Sequence, residues 1–249
     1  MNTANKTVLI TGGGSGIGFE IAKLFSRNGS RVIITGRSEA RLKDAAAKLQ
    51  NTGYFVADVT KAEDTDKLVN HINTSYPTLD VLINNAGSAS AYNLGENAGI
   101  FEKASEEILT NYLAVARLTE KLLPLLNKQV EAAVVNVTSI VALAPAFTIP
   151  TYSASKAALR SFTQILRFTL DKQGSSVKVF ELMPPLVNTD FSKEIGGENG
   201  IAPEVVAQDL LNAFESNTYE VHVGQTADFY KGFYAGTEQA VAALNQGRG

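Results

Sequence analysis

The chain has 249 residues, of which 45% are hydrophobic and 19% charged, with a net charge of −3. This is ample for one sizeable core, and it offers no basic surface for nucleic acid or an anionic membrane. The absence of cysteine removes disulfides, thiolate nucleophiles and the usual zinc sites, and the only histidines, His71 and His222, lie far apart in sequence; no metal is expected and a metal-dependent alcohol dehydrogenase is disfavoured.

Met1 to Lys6 is short and polar, with no signal-peptide core, and no apolar run of about 18 residues follows anywhere. A cytoplasmic protein is therefore expected. Thr7 to Thr11 is a short apolar run ended by glycines, and Ile17 to Asn28 follows with helical spacing at Ile17, Ile21, Leu24 and Phe25. Arg31 to Thr35 reads as a second buried strand and Glu39 to Gln50 as a charged helix, which completes a βαβ unit. Tyr54 to Ala57, Val81 to Asn84, Ala133 to Val137 and Val177 to Leu182 repeat the strand pattern. Helical stretches at Glu63 to Ser75, Ile100 to Lys128 and Ser153 to Lys172 lie between them.

The alternation predicts an α/β fold: a single domain over 1–249 with a Rossmann-type, doubly wound parallel sheet of about seven strands and helices on both faces. Strands that are apolar throughout fit a sheet covered on both sides. Pro184 and Pro185 end the sixth strand, because neither can donate a ladder hydrogen bond. Beyond them, residues 187–202 are Gly-rich and polar with Phe191 and Ile195 embedded, and read as a mobile flap. Pro203 to Glu215 reads as a helix and Tyr219 to Val223 as a last strand. The tail from Gln225 carries Phe229, Tyr230, Phe233 and Tyr234, a cluster that packs either on this domain or on another subunit.

Several positions stand out chemically. Gly12, Gly14, Ser15, Gly16, Ile17 and Gly18 sit between the first strand and first helix, where backbone amides and the positive end of the helix dipole can hold a pyrophosphate. The spacing is Gly-x-x-x-Gly-x-Gly, which departs from the Gly-x-Gly-x-x-Gly fingerprint of other dinucleotide folds. The second strand ends in Gly36-Arg37-Ser38, with no carboxylate placed to hold a ribose 2′-hydroxyl. Arg37 can grip a 2′-phosphate, so NADP(H) is expected ahead of NAD(H); otherwise Arg37 is a solvated surface residue. Asp58 and Val59 follow the third strand, and Asn85, Ala86 and Gly87 the fourth. Asp58 either accepts from an adenine amino group or caps the next helix.

Tyr152 and Lys156 are four residues apart in a helix start, about one turn and roughly 6 Å of rise, so both side chains leave one face. A cation there is expected to lower the phenol from its ordinary pKa of about 10, which makes Tyr152 a usable proton donor and acceptor. Ser139 ends the fifth strand and Asn111 lies inside the long helical stretch; singly, these read as a turn former and a satisfied buried amide.

Taken together, TGGGSGIG, NNAG, Asn111, Ser139 and Tyr152-x-x-x-Lys156 resemble the short-chain dehydrogenase/reductase family, in order and over nearly the whole chain. The resemblance implies that Tyr152 is the acid/base, that Lys156 binds the nicotinamide ribose and lowers the tyrosine pKa, that Ser139 holds the substrate oxygen and that Asn111 anchors a relay water. The family's Pro-Gly turn after the sixth strand is Pro184-Pro185 here, a departure that narrows the backbone freedom at Pro185; Val187 and Thr189 match the positions that hold the carboxamide. The flap is short for the family, which implies an open substrate site.

The implied activity is carbonyl/alcohol oxidoreduction on a hydrophobic ketone or keto ester. Candidate pocket residues are Ser88, Ile140, Val141, Phe147, Ile149, Met183, Leu186, Phe191 and Ile195, several of which read equally as core. A 3-oxoacyl carrier-protein reductase is the alternative enzyme, although Lys193 is the only positive residue from Val187 to Pro203. A non-catalytic NADP-sensing protein on the same fold would not need the whole catalytic set. Pairing of the long central helices into a homodimer or homotetramer is also implied.

Overall fold

The computed structural model describes residues 1–236, 243 and 246. Seven strands form one sheet in the order β3-β2-β1-β4-β5-β6-β7, and every pairing is parallel. They are β1 (Thr7–Thr11), β2 (Arg31–Gly36), β3 (Thr52–Val56), β4 (Val81–Asn84), β5 (Ala132–Val137), β6 (Val177–Met183) and β7 (Glu220–His222). Parallel neighbours need crossovers, and helices supply them: α1 (Gly16–Arg27), α2 (Glu39–Ala47), α3 (Ala62–Ser75), α4 (Ile100–Ile108), α5 (Ala114–Leu126), α6 (Pro150–Lys172) and α7 (Pro203–Ser216), with α8 (Thr226–Ala235) after the last strand.

Side-chain alternation divides the core between the two sheet faces. Val8, Ile10, Val32 and Ile34 point to one face, against Phe25 of α1, Leu42 of α2 and Phe214 of α7. Leu9, Ile33, Leu82 and Val134 point to the other, against Leu68 of α3, Leu118 and Leu122 of α5 and Leu170 of α6. Strands buried on both faces are why the apolar runs are continuous in the sequence.

The largest departure from expectation is in the stretch Ile100 to Lys128. A π-helical turn, Leu109–Leu113, separates α4 from α5. The cause lies at its centre: Asn111 donates to the Ser88 carbonyl and the Ser155 hydroxyl, both at 2.8 Å, and accepts from the Ser88 amide at 2.9 Å. A wider turn re-aims one residue inward without ending the helix. Smaller differences are that α2 stops at Ala47, β3 begins two residues early, and α6 begins at Pro150, where a proline suits the first helical turn.

The segment after β6 holds two short 3-10 turns, Asp190–Ile195 and Gly197–Asn199, tied at their base by a Val187–Ile201 bridge. The aromatic tail packs on the body of the molecule as far as it is described. Tyr230 stacks on His222 with centroids 4.1 Å apart, and Arg160 donates to the Tyr234 hydroxyl at 3.3 Å.

Candidate active site

Strand order reverses between β1 and β4, which opens a crevice above their carboxyl ends. A cleft of about 1000 Å³ runs from there across the ends of β2 and β3 on one side and of β5 and β6 on the other. Its base is stitched by side chains. The Thr11 hydroxyl accepts from the amides of Asn85 and Ala86 at 3.0 Å, and the Asn85 amide group donates to the carbonyls of Thr11 and Gly12 at 3.0 and 3.2 Å. Asn85 therefore braces the glycine loop with its side chain and offers the cleft only its other surfaces.

Gly12, Gly14, Ser15, Gly16 and Ile17 line one wall. Ser15 makes no side-chain cap, and α1 has no acidic residue in its first turn, so no side chain caps the first-turn amides of this 12-residue helix, whose first residues line the cleft. Gly16 has φ +55°, and a Cβ there would stand 3.1 Å from the Thr189 methyl, across the space that the wall encloses. Gly18 lies outside the cleft; a Cβ on it would come within 2.5 Å of the Asn85 amide and the Gly12 carbonyl, so it is the helix-to-loop packing that requires a glycine. Uncapped amides, a side-chain-free path and no opposing carboxylate in the first turn fit a dinucleotide pyrophosphate.

Arg37 is exposed at the end of β2, on the cleft wall next to Ser38 and Arg41. Arg41, in the first turn of α2, also lines the cleft and was not singled out from the sequence. Asp58 and Val59 line the same end. Burial works to raise the Asp58 pKa, but Thr60, which donates its amide and hydroxyl to Oδ1 at 3.0 and 2.7 Å, and the nearby Arg37 and Lys61 cations leave it lowered. One carboxylate oxygen thus shapes a turn and the other stays available. The cap of α3 is Lys61.

At the other end, Tyr152 stands in the first turn of α6, with Lys156 one turn on and Ser139 at the end of β5. The Ser139 and Tyr152 hydroxyls are hydrogen-bonded to each other. Lys156, 3% exposed, donates to the Val137 carbonyl at 2.8 Å, and its ammonium lies 5.5 Å from the Tyr152 ring centroid. Asn111 is fully buried behind them, outside the cleft lining. Its amide protons are both spent on Ser88 and Ser155, which leaves only an Oδ1 lone pair to hold a water.

The electrostatics depart from the expectation of a depressed phenol. Burial raises the Tyr152 pKa; the Ser139 hydrogen bond works against this and the Glu107 charge adds to it. Burial also lowers Lys156 to about 7. In a dry site both groups favour their neutral forms, so the lysine loses the charge that was to acidify the phenol.

Gly87, Pro184, Val187 and Thr189 reach the same cleft, as do Pro185 and, of the candidate pocket residues, Ser88, Ile140, Val141, Ile149, Leu186, Phe191 and Ile195. Met183 is fully buried in the core and Phe147, 56% exposed, stands outside the lining. Ala89, Thr148 and Gln225 belong to the wall and escaped the sequence because they sit in irregular segments that periodicity does not order.

A family model described as short chain dehydrogenase matches residues 6–200. The uncharacterized oxidoreductase DltE of Bacillus subtilis (strain 168) is 38% identical over 226 residues, 89% of each chain. Among solved structures, a short-chain dehydrogenase from Sphingobium yanoikuyae in complex with NADPH superposes with a TM-score of 0.79 at 26% identity, covering 94% of this chain and 95% of that one. A 3-ketoacyl-(acyl-carrier-protein) reductase from Brucella melitensis complexed with NADH has a TM-score of 0.77 at 26% identity, over 85% and 91%.

The state of Lys156 has a measurable consequence. Its proton is held to about pH 7 in the folded protein but to 10.5 as a free side chain, so between these values the unfolded chain binds more protons and stability rises with pH. Urea denaturation of the nucleotide-free protein is expected to show this rise from pH 7 to 9. Lys156→Met is expected to be more stable than the wild type at pH 7 and to lose the rise. A less stable Lys156→Met at every pH would mean that the buried ammonium is paid for by its surroundings.

Proposed function

We propose that this chain, which belongs to the short-chain dehydrogenase/reductase family, interconverts a carbonyl compound and its secondary alcohol with NADP(H), within one domain that carries both the cofactor and the substrate sites. The observation that carries the reading is the convergence of the Ser139 and Tyr152 hydroxyls, with Lys156 beneath them, at one end of a cleft whose other end is a side-chain-free helix N-terminus. Gly12, Gly14, Ser15, Gly16 and Ile17 would hold the pyrophosphate, and Gly18 would keep the loop and helix close. Arg37 would take the 2′-phosphate, Asp58 and Val59 the adenine, and Asn85, Ala86 and Gly87 the middle of the molecule. Tyr152 and Lys156 would meet the nicotinamide ribose, and Pro184, Val187 and Thr189 the carboxamide. The nicotinamide, when bound, supplies the hydride to the carbonyl carbon or takes it from the alcohol.

As the carbonyl oxygen gains negative charge, the Ser139 and Tyr152 hydroxyls donate to it. Tyr152 then gives up its proton to form the alcohol, and the phenolate left behind raises the proton affinity of Lys156, which takes a proton from solvent in the cleft that it lines. Lys156 spends one of its three N–H donors on Val137, so the others remain for ribose hydroxyls. The wall formed by Ile140, Val141, Ile149, Leu186, Phe191 and Ile195 favours a hydrophobic ketone or keto ester. A 3-oxoacyl carrier-protein reductase is the second reading, favoured by the likeness to the Brucella melitensis enzyme. Against it, Lys193, the one cation on residues 187–203, lies outside the cleft lining and is ion-paired with Asp190 at 2.8 Å, which leaves that segment with no basic patch for an acidic carrier. The complete set of Asn111, Ser139, Tyr152 and Lys156 argues against a non-catalytic NADP sensor.

No helix among the described residues is long and apolar enough to cross a membrane, and we place the enzyme in the cytoplasm. Leu113 beside α5, and Ile165 and Phe168 on the outer side of α6, are 44%, 60% and 66% exposed. A homo-oligomer joined through α5 and α6 would cover them.

Tyr152→Phe is expected to cut NADPH-dependent reduction of a ketone panel by at least about 100-fold; retention of most of the rate would remove Tyr152 from the reaction. Arg37→Glu is expected to lower the kcat/KM preference for NADPH over NADH by about tenfold or more, and an unchanged ratio would return Arg37 to the solvated surface. By light scattering the protein is expected at a dimer mass or above, and an Ile165→Glu/Phe168→Glu variant at the monomer mass; equal masses would place the contact elsewhere.

A further inference from the structure

The carboxyl end of β7 takes no part in the proposed chemistry, yet it opens on the same cleft. Gln225, three residues past the end of β7 at His222, lines that cleft. Its place follows from the sheet. β5, β6 and β7 are parallel neighbours, so Ser139, Pro184 and Gln225 follow successive strands at one edge. Neighbouring strands lie about 4.8 Å apart, which sets β7 roughly 10 Å from β5. The glycine loop, Arg37 and Asp58 follow β1, β2 and β3 on the far side of β4. Gln225 therefore stands at the end of the cleft that holds Ser139 and Tyr152, away from the glycine wall.

Gln225 is the N-cap of α8, but its side chain makes no cap bond, and among the described residues its amide group has no hydrogen-bond partner. The helix behind it is firmly held. Thr226, fully buried, donates its amide to the Val223 carbonyl at 3.1 Å. Phe229, one turn after Gln225, packs against the apolar cluster that contains Ile149 and Tyr152. Beyond it, Tyr230 stacks on His222, and the Tyr234 hydroxyl accepts from Arg160, two turns past Tyr152 on α6. Gln225 is thus presented by a helix fastened to the elements that carry the acid/base pair. Of the other polar side chains on that wall, Ser88 donates to Glu106 at 2.8 Å, Thr148 offers a single hydroxyl and Glu194, a carboxylate, only accepts.

We propose that Gln225 is a specificity-determining residue: its side-chain amide donates to a second carbonyl, that of an ester, which the substrate carries a few bonds from the carbonyl that reacts. The inference rests on the proposed carbonyl reduction and selects a keto ester over a plain ketone. Ser139 and Tyr152 hold the reacting oxygen, Gln225 holds the ester, and the apolar wall between them takes the rest of the molecule. A hydrogen bond remote from the reacting atoms tightens substrate and transition state alike, so it is read in KM more than in kcat.

The test compares ethyl 3-oxobutanoate with 2-heptanone, a ketone of equal chain length in which methylenes replace the ester. Gln225→Met keeps the length of the side chain and removes its donors. In this variant the ratio of kcat/KM for the ester over the ketone, measured by NADPH oxidation, is expected to fall about three- to tenfold, mainly through KM. Binding is read without turnover by NMR titration of the ester into the NADP⁺-loaded protein, where its dissociation constant is expected to rise by the same factor. An unchanged ratio and dissociation constant overturn the proposal, as do equal losses on ester and ketone, which would make Gln225 a part of the wall alone. Wild-type protein that fails to bind the ester also overturns it, and reduction of 2-heptanone would then leave the proposed activity standing. Ester binding that depends on Gln225 in a protein that reduces no carbonyl compound tested would uphold the inference and refute the proposed activity.

Discussion

Parallel strands cannot be joined by tight turns, so in an all-parallel sheet every strand delivers its carboxyl end to the same edge. The arrangement of this site follows from that constraint. The glycine loop follows β1, Arg37 follows β2, Asp58 follows β3, Asn85 follows β4, Ser139 follows β5 and Pro184 follows β6. Residues spread over most of the chain share one cleft because the sheet can place its strand ends nowhere else. The reversal between β1 and β4 makes an edge into a crevice, and the bonds between Thr11 and Asn85 close its base. Each such bond adds only about 0.5–1.5 kcal/mol; their larger effect is to fix where the amides of α1 point.

A second constraint comes from dryness. Removing an ammonium from water costs several kcal/mol unless it is paired, and Lys156 donates a hydrogen bond to the Val137 carbonyl. Tyr152 and Lys156 are both held toward neutrality by the same burial. Neutral phenol and neutral amine form a low-cost resting pair, and charge on either one favours charge on the other. Loss of the Tyr152 proton and protonation of Lys156 are therefore linked events. The pattern Tyr-x-x-x-Lys displays the two groups on one face of a helix, but it carries no information about how much water reaches them, which is why the expected acidic phenol did not follow from spacing.

What was legible in the sequence was whatever rests on short-range pattern. Strands such as VLIN and AAVVNV are apolar because both sides are covered, and the glycine loop is glycine-rich because Thr189 and Asn85 stand where side chains would be. The π turn was not legible, because its cause, Asn111 bonding to Ser88, joins residues 23 positions apart. Met183 and Phe147 read as pocket residues by position, yet the first faces the core and the second faces solvent. Their neighbours Leu186 and Ile149 do line the cleft. Met183 still belongs to β6, whereas Phe147, Ile149 and Leu186 lie in irregular segments, where no period predicts the direction of a side chain.

The segment after β6 shows why the substrate is harder to read than the chemistry. The Ser192 hydroxyl donates to the carbonyls of Val187 and Thr189, and Thr189 and Ser192 cap one another, so residues 187–192 form a small folded unit. Thr189 in this unit stands against Gly16, and Phe191 stands 6.0 Å from Tyr152, centroid to centroid. The same few residues thus reach the glycine loop and Tyr152. Any substitution that changes how the unit sits alters both ends of the cleft together, although it leaves Ser139, Tyr152 and Lys156 in place. The reaction type is written in side chains fixed by strand ends and a helix turn, and the choice of molecule in a unit whose position is set by packing.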